Sequence, residues 1–379
     1  MKIREYSEYN NDIERIFDLL KNGYSYLFDC ASKTGHWKEA RCSSLAAMCL
    51  QIREDGRSVW LRSIRNWLKE TQIKEDNGKG SWGEEVWDTA MCVLALKDLE
   101  VSSKDSSIES ALNWLEKLFP LNGRNNWHDE PWETSWALMA ILRCGREVKN
   151  VNISSAIKWL SNFQSSDGKI ISPHYTAYFL LISEFSLKAS LPVNTRKIIK
   201  ITSEKCATYL NKELELSDKE RLWTGEAWSN GQILWALNLA GVFPIANKVL
   251  VDKCVSWFEL NQTPKGNWSD VEDTASAILG LYVLLQNLAV ESVKGNELEK
   301  NLLDRLERRL RKGVPVPRLQ IKKKFVEINN EIGYISFNIT QKTAKLFSTI
   351  LGFIFVVLVG WLADMMALLG EIWKYLNPK

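Results

Sequence analysis

The chain has 379 residues, of which 45% are hydrophobic and 25% charged, and this ordinary globular composition excludes a disordered or fibrous protein. Its net charge of +3 is unevenly distributed: residues 1–294 carry 35 Lys and Arg against 38 Asp and Glu, and residues 295–379 carry 14 against 8. The larger part is therefore not expected to bind duplex nucleic acid, and the tail is basic.

The seven cysteines are odd in number, scattered, and mostly set in apolar helical runs. This pattern predicts buried free thiols in a reducing compartment. The N-terminal stretch "MKIREYSEYNNDIERIF" lacks the apolar core of a signal peptide, so we expect this part of the protein to remain in the cytoplasm.

A tryptophan-to-Thr/Ser pattern followed by an apolar run recurs along the chain. The clear copies are "HWKEARCSSLAAMCL", "SWGEEVWDTAMCVLAL", "NWHDEPWETSWALMAIL" and "NWSDVEDTASAILGL", and "KIISPHYTAYFLLI" and "LWTGEAWSNGQILWAL" are degenerate copies. The spacings between their anchors are 45, 45, 42, 53 and 45 residues. Periods near 45 residues indicate stacked supersecondary units. The anchors are Ser44, Thr89, Thr134, Thr176, Ser229 and Thr274.

Each copy is preceded by a second helical run. These runs are "DIERIFDLLKNGYSYLF", "IRNWLKE", "ALNWLEK", "AIKWLSN", "CATYLNK" and "CVSWFEL", with apolar residues three and four positions apart. Loops with Gly or Asn, such as "SSDGK" and "TPKGN", join the two helices. The sequence therefore predicts six helical hairpins in residues 1–290.

The segments "NFQSSDGK" and "NQTPKGNW" resemble the glutamine-to-tryptophan repeats of squalene and terpene cyclases, and "DVEDTA" is similar to the Asp-x-Asp-Asp-Thr-Ala motif of squalene–hopene cyclases. Protein prenyltransferase β subunits share that architecture. The resemblance covers roughly residues 12–288 and implies an all-α (α/α)6 toroid, with six inner helices around a cavity and six outer helices.

In those cyclases the middle acid of the motif protonates an alkene or epoxide, and the resemblance places Glu272 there, between Asp270 and Asp273. Glu is one methylene longer than Asp, which moves the proton. Sister copies at Asp88 and Glu133 favour acids that open a helix, because carboxylates suit helix N-termini. Cyclases of this class also generally place the active site between two barrels. We therefore favour no catalytic residue and keep Glu272 as an alternative general acid.

The prenyltransferase resemblance implies a zinc site built from an Asp-x-Cys pair and a later His. Asp252 and Cys254 supply the pair, but His36, His128 and His174 all precede it. Because zinc needs several His or Cys ligands, we predict no metal and no cofactor.

The starts of the inner helices should converge at one end of a toroid. Their aromatic rings could stack on a base or bury a lipid tail, and free N–H groups there could bind an anion. The alternative is that the tryptophans pack between repeats. The predicted cavity residues are Trp82, Trp87, Asp88, Trp127, Trp132, Glu133, His174, Trp223, Glu226, Trp228, Trp268 and Glu272.

After the repeats, residues 291–340 contain a charged helical run, the stiff "VPVPR" linker and a heptad-like apolar stripe from Ile321 to Ile339. Residues 341–379 contain "LFSTILGFIFVVLVGWLA", eighteen residues without a charge, which predicts one transmembrane helix. Lysines cluster upstream of it, so we expect a single pass in the inner membrane with the toroid in the cytoplasm. Phe353, Phe355, Trp361 and Asp364 are the predicted membrane or pore residues.

Three functions remain open. The first is a ligand-sensing toroid, taking a small molecule, nucleotide or oligonucleotide, that controls an oligomerising membrane helix. Its layout resembles that of bacterial antiviral defence effectors. The second is a membrane-associated cyclase with Glu272 as the acid, and the third is a protein-binding scaffold. We favour the first, which makes the protein more a sensor than an enzyme.

Overall fold

The computed structural model describes residues 2–53, 59–74, 80–119, 125–145, 153–187, 189–218 and 220–292. All of them belong to one compact unit, Met1–Leu319. The predicted connector and the predicted membrane segment lie outside the described residues.

The described part of the chain is helical and holds no strand. Its twelve helices are α1 Lys2–Cys30, α2 Ala40–Arg53, α3 Val59–Thr71, α4 Val86–Asp98, α5 Ser106–Leu118, α6 Pro131–Cys144, α7 Ile153–Ser161, α8 Pro173–Ser186, α9 Val193–Leu216, α10 Ala227–Leu239, α11 Lys248–Asn261 and α12 Val271–Ser292.

The even-numbered helices form a closed inner ring. Each contacts the next, from α2 through α4, α6, α8 and α10 to α12, and α12 packs back on α2. The odd-numbered helices lie outside, and α1 contacts both α11 and α12. The predicted all-α toroid of six hairpins is therefore confirmed for these residues.

Burial separates the two layers. The inner helix α4 is buried along Thr89–Leu96 without interruption, whereas the outer helix α3 buries Trp60, Leu61, Ile64 and Leu68 on one face. A helix that is apolar all round belongs inside a protein, and an amphipathic helix belongs at its surface. The same contrast explains why the sequence pattern could assign the layers.

One hydrogen bond fixes the entry to every inner helix. The side chain at the fourth helical position accepts from the backbone N–H of a residue six or seven positions upstream. The acceptors are Ser43, Thr89, Thr134, Thr176, Asn230 and Thr274, at 2.9 to 3.3 Å. Two predicted anchors, Ser44 and Ser229, are therefore wrong by one residue. The Asn230 amide oxygen accepts as a hydroxyl does, and Ser44 instead donates to the Ala40 carbonyl.

The tryptophans that begin five of the copies satisfy carbonyls of the outer helices. Trp127 Nε1 donates to Leu115 O at 2.9 Å, and Trp268 Nε1 donates to Phe258 O at 2.8 Å. Trp37 and Trp82 make the same bond, and Trp223 Nε1 donates to Leu210 O, which lies before the last turn of α9. The last four carbonyls of a helix have no partner within it. These rings therefore join each outer helix to its own inner helix.

Three glutamines join every second repeat to the next outer helix. Gln72 Nε2 donates to Gly80 O and Ser107 O, and Gln262 Nε2 donates to Gly266 O and Leu19 O, all within 3.0 Å. Gln164 does the same with Gly168 and Thr202. Since Leu19 lies on α1, the Gln262 bond closes the ring between its last and first hairpins.

Within the described part of the chain one helix, Val271–Glu291, is long and apolar enough to cross a membrane. Its mean hydropathy is 1.3, and 72% of its apolar window is buried. That burial comes from packing as the sixth inner helix, against α2, α10 and α1.

Candidate functional site

The second residue of every inner helix lies on the same end of the ring. We call these six residues the rim ring: Arg41, Trp87, Trp132, His174, Trp228 and Glu272. None of the six is fully exposed, and all lie above the buried core of the inner helices.

Contacts join most neighbouring pairs of the rim ring. The Arg41 guanidinium carbon lies 4.1 Å from the centroid of the Trp87 ring, which lies 4.3 Å from that of Trp132. The His174 and Trp228 centroids are 5.1 Å apart. Between α6 and α8 the contact is one turn deeper, where Trp136 and Tyr178 are 5.4 Å apart. The rim is therefore lined by aromatic rings and bounded on the α12–α2 side by charged groups, and we call this surface the rim basin.

Two carboxylates at the third helical position are structural. The Trp228 N–H donates to Asp273 Oδ1 at 2.9 Å, and the Val86 N–H donates to Glu133. In each pair the acid satisfies a free N–H at the start of the preceding inner helix. Asp270 opens α12 as expected, because its Oδ1 accepts from Asp273 N at 2.9 Å. Asp273 lies in the first turn of its own helix α12 and in addition accepts the N–H at the start of α10.

Asp88 and Glu272 have a different partner, the Arg41 side chain between them. Arg41 Nε lies 2.9 Å from Glu272 Oε2, and Arg41 Nη1 lies 3.9 Å from Asp88 Oδ1. The Nε–H does not point at the Glu272 oxygen, so the contact is ionic without a hydrogen bond. We call these three residues the Arg41 cluster.

Burial raises the pKa of the rim carboxyls. The pKa of Glu272 rises to about 7 because burial outweighs the attraction of Arg41, and Asp270, Asp273 and Asp88 repel its charge further. Burial likewise raises the pKa of Asp88 and of Asp273 to about 6 each. At neutral pH Glu272 is therefore partly protonated despite its cationic neighbour.

These shifts predict a pH-dependent stability. A carboxyl whose pKa is raised in the folded state binds more protons in the folded than in the unfolded protein. Its contribution to the free energy of unfolding is therefore largest below the pKa of the unfolded state, and it is lost as the pH rises through 6 to 7. The free energy of unfolding should therefore fall between pH 5 and pH 8. Glu272→Gln should raise it by about 1–2 kcal/mol at pH 8 and leave it nearly unchanged at pH 5.

Urea unfolding of the full chain at pH 5, 6.5 and 8 measures this. Asp167→Asn is the control, because Asp167 is fully exposed and hydrogen bonds with Ser165 and the Lys169 N–H lower its pKa. It should not stabilise the protein at pH 8. A Glu272→Gln gain that is equal at all three pH values would contradict the assignment.

Unsatisfied polar atoms concentrate near the rim. Across the described residues, five buried side-chain polar atoms lack a hydrogen-bond partner. Four belong to the first two turns of inner helices: Arg41 Nε, Asp88 Oδ1, Trp136 Nε1 and Ser229 Oγ. Buried polar groups in folded proteins are normally paired, so an unpaired cluster needs an explanation. A ligand that supplies the missing partners is one.

The predicted cavity residues divide into two groups. Trp87, Asp88, Trp132, Glu133, His174, Trp228 and Glu272 lie at the rim, as expected. Trp82, Trp127, Trp223 and Trp268 do not: each is at most 5% exposed and hydrogen-bonded to an outer helix. For these four the packing interpretation is correct. Glu226 precedes α10 and is exposed.

His174 is a half-buried titratable group of the rim. Burial lowers its pKa to about 4, so the ring is neutral at physiological pH. Ser172 Oγ lies 3.1 Å from its Nδ1, and the Tyr175 ring centroid is 4.5 Å away. His128 lies outside the basin, where its Nδ1 is 2.7 Å from Glu133 Oε2.

Sequence reasoning missed Arg41 and Tyr175. Both occupy the first turn of an inner helix, at the second and third positions. The available signal was the alignment of the six copies on their helix starts, which would have placed Arg41 beside the predicted tryptophans.

The two residues weighed as zinc ligands have other surroundings. Asp252 Oδ1 lies 2.5 Å from Arg15 Nη1, in an ion pair between α11 and α1 that also includes Glu259. Cys254 is fully buried, and burial raises the pKa of its thiol.

A cavity of about 340 Å³ lies at the opposite end of α8 from the rim, between α8 and α9. Its charged lining is balanced, with Arg196 and Lys200 against Glu184 and Glu204. The rim differs from it in its excess of carboxylates. Phe353, Phe355, Trp361 and Asp364 lie outside the described residues, and their predicted roles stay predictions.

No protein-family model and no curated protein matches the sequence. Solved structures match its fold. The chain is similar to variants of the type II terpene cyclase MstE from Scytonema. One, solved with its product merosterolic acid A, has a TM-score of 0.55 and 12% identity, over 73% of this chain and 99% of that one. Another, solved without ligand, has a TM-score of 0.54 and 13% identity, over 73% and 99%.

A protein from Actinoplanes is similar at a TM-score of 0.52 and 13% identity, over 70% of this chain and 98% of that one. The described chain thus has the terpene cyclase-like toroid fold. The match spans almost all of MstE, so a type II terpene cyclase can have the length of a single toroid. The general expectation of two barrels therefore does not hold for every cyclase of this class.

Proposed function

We propose that the toroid binds a small organic ligand in the rim basin and thereby controls an apolar C-terminal segment that acts in a membrane. The observation that carries the proposal is the group of buried polar atoms without a hydrogen bond near the rim: Trp136 Nε1 and Ser229 Oγ, together with Arg41 Nε and Asp88 Oδ1, which have ionic contacts alone. Together with the aromatic walls, they resemble a ligand site, which is typically apolar with a few convergent polar groups.

Binding without catalysis is favoured by the Arg41 cluster. Arg41 stabilises the ionised form of Glu272, the only rim acid at the position of the cyclase proton donor. A general acid must hold its proton until the reaction, and a guanidinium 2.9 Å away opposes that.

The membrane part of the proposal rests on sequence. Residues 346–363 have no charge and are long enough to cross a bilayer. We propose that they form an oligomerising, membrane-permeabilising helix in the inner membrane, with the toroid in the cytoplasm. Phe353, Phe355, Trp361 and Asp364 would face neighbouring copies or a pore, as in a bacterial antiviral effector.

Truncation tests this arrangement. Expression of the full chain in bacteria should depolarise the inner membrane, measured with a potential-sensitive dye. A chain ending at Thr340 should remain in the cytosolic fraction without any depolarisation, and Asp364→Ala should retain membrane association with reduced depolarisation. The matched control is Trp87→Ala, which should remain in the membrane fraction. If the truncated chain depolarises as fully as the intact one, the effector proposal is wrong.

A second candidate, a terpene cyclase, is favoured by one observation. The pKa of Glu272 is raised to about 7, so part of the population carries a proton at neutral pH, as a general acid requires. The structural relative MstE was solved with geranylgeranyl dihydroxybenzoate as substrate. That compound is a suitable probe here.

The cyclase test is a product assay with that compound in detergent. Under the cyclase hypothesis the chain yields cyclised product, Glu272→Gln loses at least about a hundredfold in rate, and Glu272→Asp keeps part of it. Under the ligand-sensing proposal neither the chain nor the variants yield product. Product formation that depends on Glu272 would replace the first proposal with the second.

A further inference from the structure

We infer that the rim basin takes an organic cation that also carries a hydrogen-bond acceptor, with Asp88 and Glu272 as its counter-ions and the Trp87–Trp132 pair as its aromatic wall. This inference rests on the proposed function, because it names the ligand class of the same basin.

Charge is the first argument. Carboxylates lie at or near the start of every inner helix except α8. Among the described residues, Arg41 is the only cation in direct contact with them inside the basin. His174 is neutral, and the His128 side chain is 48% exposed outside it. The carboxylates are Glu39, Glu85, Asp88, Glu133, Glu226, Asp270, Glu272 and Asp273.

Not all of these acids are available. Glu133 and Asp273 accept backbone N–H groups of neighbouring helices, and Glu85 accepts from Trp87 Nε1. Asp88 and Glu272 make no such bond, and Asp88 Oδ1 has no hydrogen-bond partner. Arg41 also lies 3.5 Å from Glu39, so one arginine faces three acids. Once Asp88 and Glu272 ionise above pH 7, the cluster carries excess negative charge, which repels a phosphate and attracts a cation.

The aromatic wall is the second argument. Arg41 itself demonstrates that the wall holds a cation, since its guanidinium carbon lies 4.1 Å above the Trp87 ring. Trp132 extends that wall, with its ring centroid 4.3 Å from that of Trp87.

The unpaired atoms beneath the rim are the third, independent argument. Trp136 lies one helical turn below Trp132 on the same face, is 1% exposed, and its Nε1 has no hydrogen-bond partner. The Tyr178 hydroxyl interacts with it without hydrogen-bond geometry and donates instead to Gln232 Oε1 at 2.8 Å. An indole N–H is a donor only, so its ligand partner must be an acceptor.

Ser229 supplies a second buried atom for the same argument. It is fully buried, its Oγ is unpaired, and it follows Trp228 of the rim ring. A hydroxyl can donate or accept, so it suits either the acceptor or an N–H of the cation. A ligand with a cationic end and a carbonyl or hydroxyl end would satisfy both levels of the basin.

The probe is acetylcholine, a quaternary ammonium with a carbonyl, titrated into the full chain in detergent micelles and followed by tryptophan fluorescence and calorimetry. We expect saturable binding that is at least about tenfold weaker in Asp88→Asn and in Glu272→Gln. Glu184→Gln is the matched control, because Glu184 is another carboxyl with a pKa raised by burial, at the opposite end of α8. It should bind as the wild type does.

Two further arms separate charge from shape. The neutral carbon isostere 3,3-dimethylbutyl acetate should bind at least about tenfold more weakly than acetylcholine. Affinity for acetylcholine should rise between pH 5.5 and pH 8, because Asp88 and Glu272 ionise in that range. Binding that ignores pH and the two acid substitutions overturns the inference.

A titration with the anion adenosine monophosphate separates failure of the cation inference from failure of the proposed function. If this anion binds and Trp87→Ala abolishes the binding, while acetylcholine does not bind, the basin is a ligand site of the opposite charge class. The inference is then wrong and the proposed function stands. If neither acetylcholine nor adenosine monophosphate binds, or if rim substitutions change the binding of neither probe, the inference and the proposed function are both contradicted.

Discussion

Gly266→Ala is expected to lower the free energy of unfolding by about 3–4 kcal/mol. Gly266 has φ +89°, a conformation that costs an L-residue about 1–2 kcal/mol. An added Cβ would also lie 2.4 Å from the Asn22 carbonyl oxygen of α1. Overpacking of that kind costs about 1–3 kcal/mol, and here the obstacle is backbone, which cannot rotate away. The loop holds the last hairpin to the first, so the substitution acts on the closure of the ring.

The matched control is Gly145→Ala. Gly145 also has a positive φ, +63°, but nothing lies within 4 Å of an added Cβ. It should therefore lose only the conformational part, about 1 kcal/mol. Urea unfolding of the full chain measures both. Equal losses in the two variants would show that close approach of the Gly266 loop to α1 does not contribute to stability.

Arg41→Ala is expected to destabilise the protein in a pH-dependent manner. At pH 8 the variant leaves Asp88 and Glu272 ionised without their shared cation, and it removes the stacking on Trp87. Loss of one partner from a partly buried ion pair should cost about 2–3 kcal/mol there. At pH 5 both acids are mostly protonated, because burial raises their pKa values to about 6 and about 7. The loss should then fall to about 1 kcal/mol, the packing contribution of the arginine stem.

The double variant Arg41→Ala with Glu272→Gln isolates the charge term. It should recover most of the loss at pH 8, because the uncompensated carboxylate is gone, and recover little at pH 5. Arg41→Lys should lie between wild type and Arg41→Ala, since an ammonium keeps the charge and loses the planar stacking. A pH-independent loss, or no recovery in the double variant, would contradict the assigned role of the Arg41 cluster.

Gly266 and Arg41 have different places in the repeat. The Gln262–Gly266 bond is one of three equivalent bonds, with Gln72–Gly80 and Gln164–Gly168. A Cβ added at any of these glycines would clash with the backbone of the next outer helix. Arg41 has no counterpart among the other five second positions, which carry Trp, His or Glu. Stability thus depends on repeated contacts, whereas the basin depends on the residues that differ between repeats.

The repeats made the fold predictable from sequence. Each hairpin is specified locally by a helical apolar pattern, a loop, and a Thr, Ser or Asn that accepts the N–H of a residue six or seven positions upstream, which is a tryptophan in five hairpins and Ile170 in the fourth. Six such units near a 45-residue period leave few ways to bury every apolar face except a closed ring. The two misplaced anchors, Ser44 and Ser229, moved by a single residue and changed no helix.

The basin depended on contacts that no local pattern contains. Trp82 and Trp87 lie five residues apart, but they have different roles. Trp82 donates a hydrogen bond to the Leu68 carbonyl of the outer helix α3, whereas Trp87 stacks on Arg41 at the rim. Asp273 accepts the N–H of Trp228, 45 residues away, so its structural role emerges only when α10 and α12 are side by side. The same holds for the pKa of Glu272, which burial sets once the ring has formed.

The sequence by itself determined the helical hairpins, their number and which layer each helix occupies, because periodicity and loop chemistry act within a few residues. Only the tertiary structure decided which aromatic rings face the basin, which carboxylates cap a neighbouring helix, and which two are left with Arg41. Those outcomes depend on packing and electrostatics between residues brought together from α2, α4 and α12, which belong to the first, second and last hairpins of the ring.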